Sequence, residues 1–174
     1  EDVYAGKSLA FLFDGNGYYD VSDVGTIYVP TSGYLKLEDI SGFSDIRMDK
    51  LQSARYLFDS CAMLNDISVI KNWNLINIQD VSYMFYGCVT LQNISAFGEI
   101  GRYFSDKRIY IDGVFQHCRS IQDISSFKNW NISKFESLTF VFAGCSSLSD
   151  LTPLAEWNVS NVADLHNIFS GCSS

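Results

Sequence analysis

Basic residues are scarce in this sequence: 12 lysines and arginines stand against 20 aspartates and glutamates, for a formal net charge of −8. Nucleic acid is bound through a concentrated cationic face, so no nucleic-acid partner is expected. The same imbalance argues against docking on an anionic membrane. Long apolar runs are also lacking. The nearest, Ser8 to Phe13, falls far short of the roughly 20 residues of a spanning helix, so no direct membrane insertion is expected. No secretory signal pattern opens the chain, and a start at Glu1 rather than Met reads as a processed or excerpted product. No CxxC or CxxH pair offers a zinc site, and Asp14-Gly-Asn-Gly17 is only faintly calcium-like because it fails the EF-hand spacing. The only histidines, His117 and His166, stand at different phases of the chain, and neither has a nucleophile and an acid beside it. No enzyme, no cofactor and no metal are therefore expected.

What is abundant is hydrophobic and regular. Of 174 residues, 47% are hydrophobic and 18% charged, which suits one globular unit with a sizeable core. Five cysteines, Cys61, Cys88, Cys118, Cys145 and Cys172, recur at spacings of 27, 30, 27 and 27. Each has a phenylalanine three residues earlier: Phe58, Phe85, Phe115, Phe142 and Phe169. Apolar residues then follow at every third position, as in Leu64, Ile67 and Ile70, and the run ends at Trp73, Trp130 or Trp157 in three units. Such self-similarity is the signature of a repeat architecture.

The pattern predicts an α+β repeat solenoid, a leucine-rich-repeat-like stack of about five coils of 27 residues. The units run over 34–60, 61–87, 88–117, 118–144 and 145–171, with another beginning at Cys172. A period of three is neither strand alternation nor a sustained helical stripe; it suits a coil that turns continually. Short strands are expected near 64–68, 91–95, 121–125 and 148–152. A short helix or 3₁₀ segment is expected in the second half of each unit, such as 161–169 with Ser160 or Asn161 as N-cap. Residues 1–33 do not fit the repeat. Their Asp14-to-Gly17 turn and the run Thr26 to Val29 read as an N-terminal β-rich cap. The other end reads as an open coil, with further repeats expected beyond it.

Val81-Ser-Tyr-Met-Phe-Tyr-Gly-Cys88, Phe142-Ala-Gly-Cys-Ser-Ser-Leu148 and Trp157-Asn-Val-Ser-Asn-Val-Ala-Asp-Leu165 resemble the repeat of BspA-like leucine-rich surface proteins. That group includes relatives among mycoplasma lipoproteins and lactobacillus surface proteins. The resemblance covers about residues 34–174 and implies an extracellular solenoid that adheres to host glycoproteins, matrix or other cells. It supplies no catalytic or cofactor residue. Unit 88–117, longer and without the tryptophan, and residues 1–33 depart from the motif.

Five cysteines in one column are unlike a disulfide framework and read as inward thiols bonded to backbone, with one oxidised pair as the lesser alternative. The tryptophans and phenylalanines, being in register, read as core. The sharper alternative is an exposed ladder of Trp73, Trp130 and Trp157 for sugar stacking. Tyr18, Tyr19, Tyr28 and Tyr34 lie outside the columns and are better candidates for exposed contacts.

A polar face follows the cysteines: Asp66, Asn93, Asp123 and Asp150 form one column, flanked by Asn65, Gln92, Gln122 and Ser149. These carboxylates and amides either satisfy turn backbone or recognise a basic or glycosylated partner, with a weak calcium site as a further alternative. The irregular unit gathers Arg102, Tyr103, Phe104, Lys107 and Arg108, residue types that anchor interfaces, in an insertion of the kind repeat arrays place on one face. Sequons at Asn93, Asn131 and Asn158 arise largely from the repeat itself. Together these features point to an extracellular adhesion module for a protein or glycoprotein ligand. The alternative is a structural element that assembles with copies of itself.

Overall fold

A computed structural model describes residues 37, 38, 40, 41, 44, 48, 49, 51–105 and 107–172 of the chain. The expected N-terminal cap, 1–33, and the candidates Tyr18, Tyr19, Tyr28 and Tyr34 lie outside these residues. Within them the chain is a repeat solenoid, each unit laid against the next.

The inward columns make one continuous core. Phe58, Phe85, Phe115, Phe142 and Phe169 stack ring on ring, with centroids 5.4 to 5.9 Å apart and interplanar angles of 1° to 17°. Beside them each thiol donates to the carbonyl of the phenylalanine one layer back in the stack: Cys88 to Phe58 at 3.2 Å, Cys118 to Phe85 at 3.0 Å, Cys145 to Phe115 at 3.3 Å and Cys172 to Phe142 at 3.2 Å. All five cysteines are free. A thiol is small enough to sit under the aromatic stack and polar enough to take the second lone pair of a carbonyl that already accepts an amide, as Phe58 does from Cys61.

The period of three after each cysteine proves to be the period of tight turns, not of strands. Leu64 N–H donates to the Cys61 carbonyl, Ile70 to Ile67 and Trp73 to Ile70, all across three residues at 3.0 to 3.1 Å. Such bonds bring every third side chain to one side, as in a 3₁₀ helix. The strands expected near 64–68, 91–95, 121–125 and 148–152 are therefore absent. Those stretches lead instead into 3₁₀ turns at Ser68–Asn72, Ser125–Phe127 and Thr152–Leu154, and into the short helix α1, Ser95–Ile100.

The pairing between coils lies in the second half of each unit, where a helix was expected. Among the described residues, parallel bridges join Ser53 to Asp80, Asp80 to Tyr110 and Ser137 to Asp164. From there alternate amides cross to the next coil: Tyr56 to the Ser82 carbonyl at 3.1 Å, Phe58 to Met84 at 2.8 Å and Ser60 to Tyr86 at 2.6 Å. The intervening amides close turns within the coil, Leu57 to Ala54, Asp59 to Tyr56 and Cys61 to Phe58. Every fourth residue is left-handed. Tyr56, Tyr83, Gly113, Phe140 and Asn167 have φ of 55° to 59°, and Ser60, Gly87, His117, Gly144 and Gly171 have φ of 58° to 76°. Positive φ at the third turn position is what a type II turn needs, and an isolated left-handed residue cannot propagate a helix. Ser160 and Asn161 consequently cap nothing; the Asn161 amide reaches back to the Ser133 carbonyl at 3.3 Å.

Candidate functional site

Two arcs of each coil face outward. The opening arc follows the cysteine and carries the polar columns. The ladder arc holds the alternating turns and ends at the next cysteine.

On the opening arc the acidic column is bound to its own backbone. Oδ1 of Asp66, Asn93, Asp123 and Asp150 accepts the amide two residues on, from Ser68, Ser95, Ser125 and Thr152, at 2.7 to 3.0 Å. These are the Asx turns that start each 3₁₀ segment. The fully exposed Asp150 is held below the ordinary carboxylate range by its bonds from Thr152. Between units 88–117 and 118–144 an open groove of about 400 Å³ is lined by Gln92, Asn93, Ser95, Ser120, Gln122, Asp123 and Ser126. No group of three or more metal-ligating side chains occurs among the described residues.

The irregular unit turns its cations onto its neighbours. Arg102 donates to the Glu99 and Lys71 carbonyls, both at 2.9 Å, and lies 4.8 Å over the Tyr103 ring. Lys107 donates to the Ile76 carbonyl at 2.6 Å, and its partial burial lowers its pKa. Arg108 pairs with Glu136 of the next unit. Phe104, read from sequence as a contact residue, is 1% exposed. It packs 5.3 Å edge-on to Trp130 and belongs to the core, because the unit has no tryptophan of its own to fill that layer. Tyr103 is partly buried against the same core.

The tryptophans are seated inward rather than displayed. Trp73 is buried, while Trp130 and Trp157 are half-buried and donate through Nε1 to the Gly98 carbonyl at 2.7 Å and the Phe127 carbonyl at 3.0 Å. Gly101 allows this approach, since a Cβ there would lie 2.3 Å from Trp130 Nε1.

The surface aromatics are on the ladder arc, where sequence reading placed no site. Tyr56 and Tyr83 stack with centroids 5.0 Å apart and planes 10° apart. The Arg55 guanidinium lies 5.0 Å from one ring and 5.2 Å from the other, and is held 3.7 Å from Asp80. Tyr86 meets the edge of His117 at 5.4 Å, and Phe140 meets His166 at 6.3 Å. Nearby Tyr110 is 46% exposed under Arg108. The Tyr83 phenol is raised above its ordinary pKa, first by burial and then by Tyr56 and Asp112 beside it. Tyr56, Tyr83 and Phe140 all hold left-handed backbone, which costs a residue with a Cβ about 1–2 kcal/mol. Such strain persists only where surrounding structure enforces it, and it concentrates at functional sites. The available signal was the Gly87, Gly144 and Gly171 column, whose recurrence marks a left-handed position four residues beyond the aromatic one.

A sequence-family profile described as "Mycoplasma protein of unknown function, DUF285" matches residues 20–102 and 109–174. The stretch between the two matches falls in the irregular unit. No curated protein matches the chain. The crystal structure of an internalin C2 from Listeria monocytogenes strain 4b F2365 aligns at 16% identity over 94% of this chain and 97% of that one, with a TM-score of 0.24. An internalin (inlF) from the same strain aligns at 14% identity over 74% of this chain and 57% of that one, with a TM-score of 0.21.

Proposed function

The chain belongs to the DUF285 family of mycoplasma proteins of unknown function, and from that premise we propose that it is a non-enzymatic, extracellular protein-binding module, akin to BspA-like leucine-rich surface repeats. Its ladder arc is the recognition face, presented to host, matrix or cell-surface proteins and glycoproteins. The observation that carries this reading is the row Tyr56, Tyr83 and Phe140, held in left-handed backbone with Arg55 against two of the rings. Tyrosine and arginine dominate interface energetics: tyrosine brings a large contact area with few rotors, and arginine brings a fork of directed hydrogen-bond donors. On this arc most amides bond main-chain carbonyls, which leaves its aromatic side chains available to a partner. Among the described residues no helix is long and apolar enough to cross a membrane.

The test is a solid-phase panel of matrix, mucosal and cell-surface glycoproteins. It compares the wild type with Tyr83→Asn/Phe140→Asn, Gln92→Ala/Gln122→Ala and Arg102→Ala/Tyr103→Ala. Saturable binding lost only in the first variant supports the ladder face. Loss only in the second or third moves the site to the polar groove or the irregular unit.

A second reading, self-assembly into a layer or filament, draws on the coil-to-coil bonds, because each unit is laid against a near copy of itself. Oligomers that grow with concentration in sedimentation velocity, with no binding on the panel, would favour it.

A further inference from the structure

We infer that residues 101–108 form a strap: Arg102 and Lys107 hold the irregular coil closed on the coil before it by making the hydrogen bonds that a tryptophan and an asparagine make in other coils. The strap lies away from the ladder arc and stands whichever face meets a partner.

Register gives the equivalence. Trp130 Nε1 donates to the carbonyl of Gly98, which stands ten residues after Cys88, and Trp157 Nε1 donates to Phe127, nine after Cys118. Unit 88–117 has no indole. Twelve residues after its cysteine, where the tryptophans fall, it has the buried Ile100, which brings no side-chain donor. Arg102 Nη2 supplies the bond instead, to Lys71, ten residues after Cys61. Phe104 supplies the ring, so the two roles of one tryptophan are divided between two residues.

Lys107 makes the same kind of exchange. The amides of Asn77 and Asn161, each sixteen residues after its cysteine, donate to the Asp49 carbonyl at 2.6 Å and the Ser133 carbonyl at 3.3 Å. Lys107 stands nineteen after Cys88 because of the insertion, and its Nζ donates to Ile76, which like Ser133 is fifteen residues after a cysteine. A longer side chain thus reaches the same carbonyl position from the longer coil.

The acceptors explain the positive charge. Lys71 and Glu99 lie in the last turns of the 3₁₀ segment Ser68–Asn72 and of α1, Ser95–Ile100. Carbonyls there have no partner inside the helix and stand at its negative end. The Arg102 fork takes one from each, Glu99 through Nη1 and Lys71 through Nη2, and so ties the two helix ends together. Arg108 and Glu136 of the next coil are both exposed, and their pairing adds little. The backward bonds carry the strap. Among the described residues no main-chain hydrogen bond crosses between 66–78 and 93–109. Removing both cations should therefore loosen this arc while the ladder arc stays closed.

The test is native-state hydrogen exchange on the whole chain, read amide by amide. Arg102→Met/Lys107→Met keeps both stems and removes the donors. The Trp73 and Ile78 amides close turns on this arc and should exchange about tenfold faster or more, since bonds from charged groups are the stronger kind. The Tyr83 and Phe85 amides, bonded across the ladder arc, should keep wild-type rates. Of the single variants, Arg102→Met should act more on Trp73 and Lys107→Met more on Ile78. Arg119→Met/Lys128→Met removes two cations outside the strap and should change nothing, and circular dichroism checks the folding of each variant. Unchanged exchange at Trp73 and Ile78, equal acceleration on the ladder arc, or the same effect from Arg119→Met/Lys128→Met overturns the inference. If the double variant does not fold, the two single variants decide it by the same criteria.

Discussion

The opening arc and the ladder arc of each coil differ in how far the main chain bonds across to the next coil. On the opening arc side chains serve the main chain. Asp66, Asn93, Asp123 and Asp150 each bind an amide two residues on, Thr90 Oγ1 donates to the Ala62 and Leu64 carbonyls, and Ser120 Oγ donates to Val89. On the ladder arc most of that work passes to the main chain itself, with alternate amides crossing to the next coil. Outward positions of the first arc are mostly polar, with Met63 at 45% exposure an exception. Those of the second hold arginine, tyrosine, phenylalanine, histidine and glycine. Chemical variety at the surface follows from which arc has side chains to spare.

The largest break in this comparison comes at the core that both arcs share. Phe115 is fully buried between Phe85 and Phe142, at 5.7 and 5.9 Å. Phe115→Ala should cost about 3–5 kcal/mol in urea unfolding and uncouple the units on either side.

Alkali acts on the same column with a graded effect. Burial, with a further push from Asp59, raises the Cys61 thiol to about 12, and burial also drives Cys88, Cys118 and Cys145 upward. A thiol whose pKa is higher folded than unfolded adds stability that is complete below the unfolded value of about 8.5 and is lost as pH rises through the folded value. Stability followed by circular dichroism should thus fall progressively from about pH 8.5 toward about 12 for Cys61. A flat profile across that window would contradict the buried thiol column.

Gly113→Ala sharpens the comparison on the ladder arc alone. The new methyl would meet the Tyr83 ring at a φ of +59°, and the change should cost about 1–3 kcal/mol. Thermal unfolding of this variant beside Gly113→Asn separates the two causes, because asparagine tolerates the backbone but not the contact.

The smallest effect belongs to the opening arc. Asp123→Ala removes an exposed Asx bond of 2.7 Å and a bond from the Ser125 hydroxyl of 3.1 Å and should cost about 1 kcal/mol. Asp123→Asn should be near neutral, since Asn93 makes the same bond in the preceding unit. A loss from Asp123→Ala as large as that from Gly113→Ala would end the distinction between the arcs.

The core was legible from the columns. Phenylalanine, cysteine and the residues at every third position all face inward, and the thiols bond to backbone as their column suggested. The Asx role of Asp66 and its counterparts was also one of three readings open from sequence. The position of the inter-coil pairing was not legible, because a three-residue period suits a strand-cornered coil and a chain of tight turns equally well. Phe104 was misplaced for a related reason: an insertion is expected at the surface, yet this one refills a layer that lacks a tryptophan. Tyr56, Tyr83 and Phe140 drew no attention because their column holds glycine in one unit and asparagine in another.

By itself the sequence determined that the molecule is a stack, since side chains recurring every 27 to 30 residues can be buried only against their own copies. It also determined which columns face inward, because apolar and thiol side chains recur there in register. Which arc carries the pairing, and so which side chains are released to the surface, was decided only by tertiary structure. The alternation of right- and left-handed turns is stable only when the next coil supplies carbonyls to every second amide, and no single repeat contains that partner.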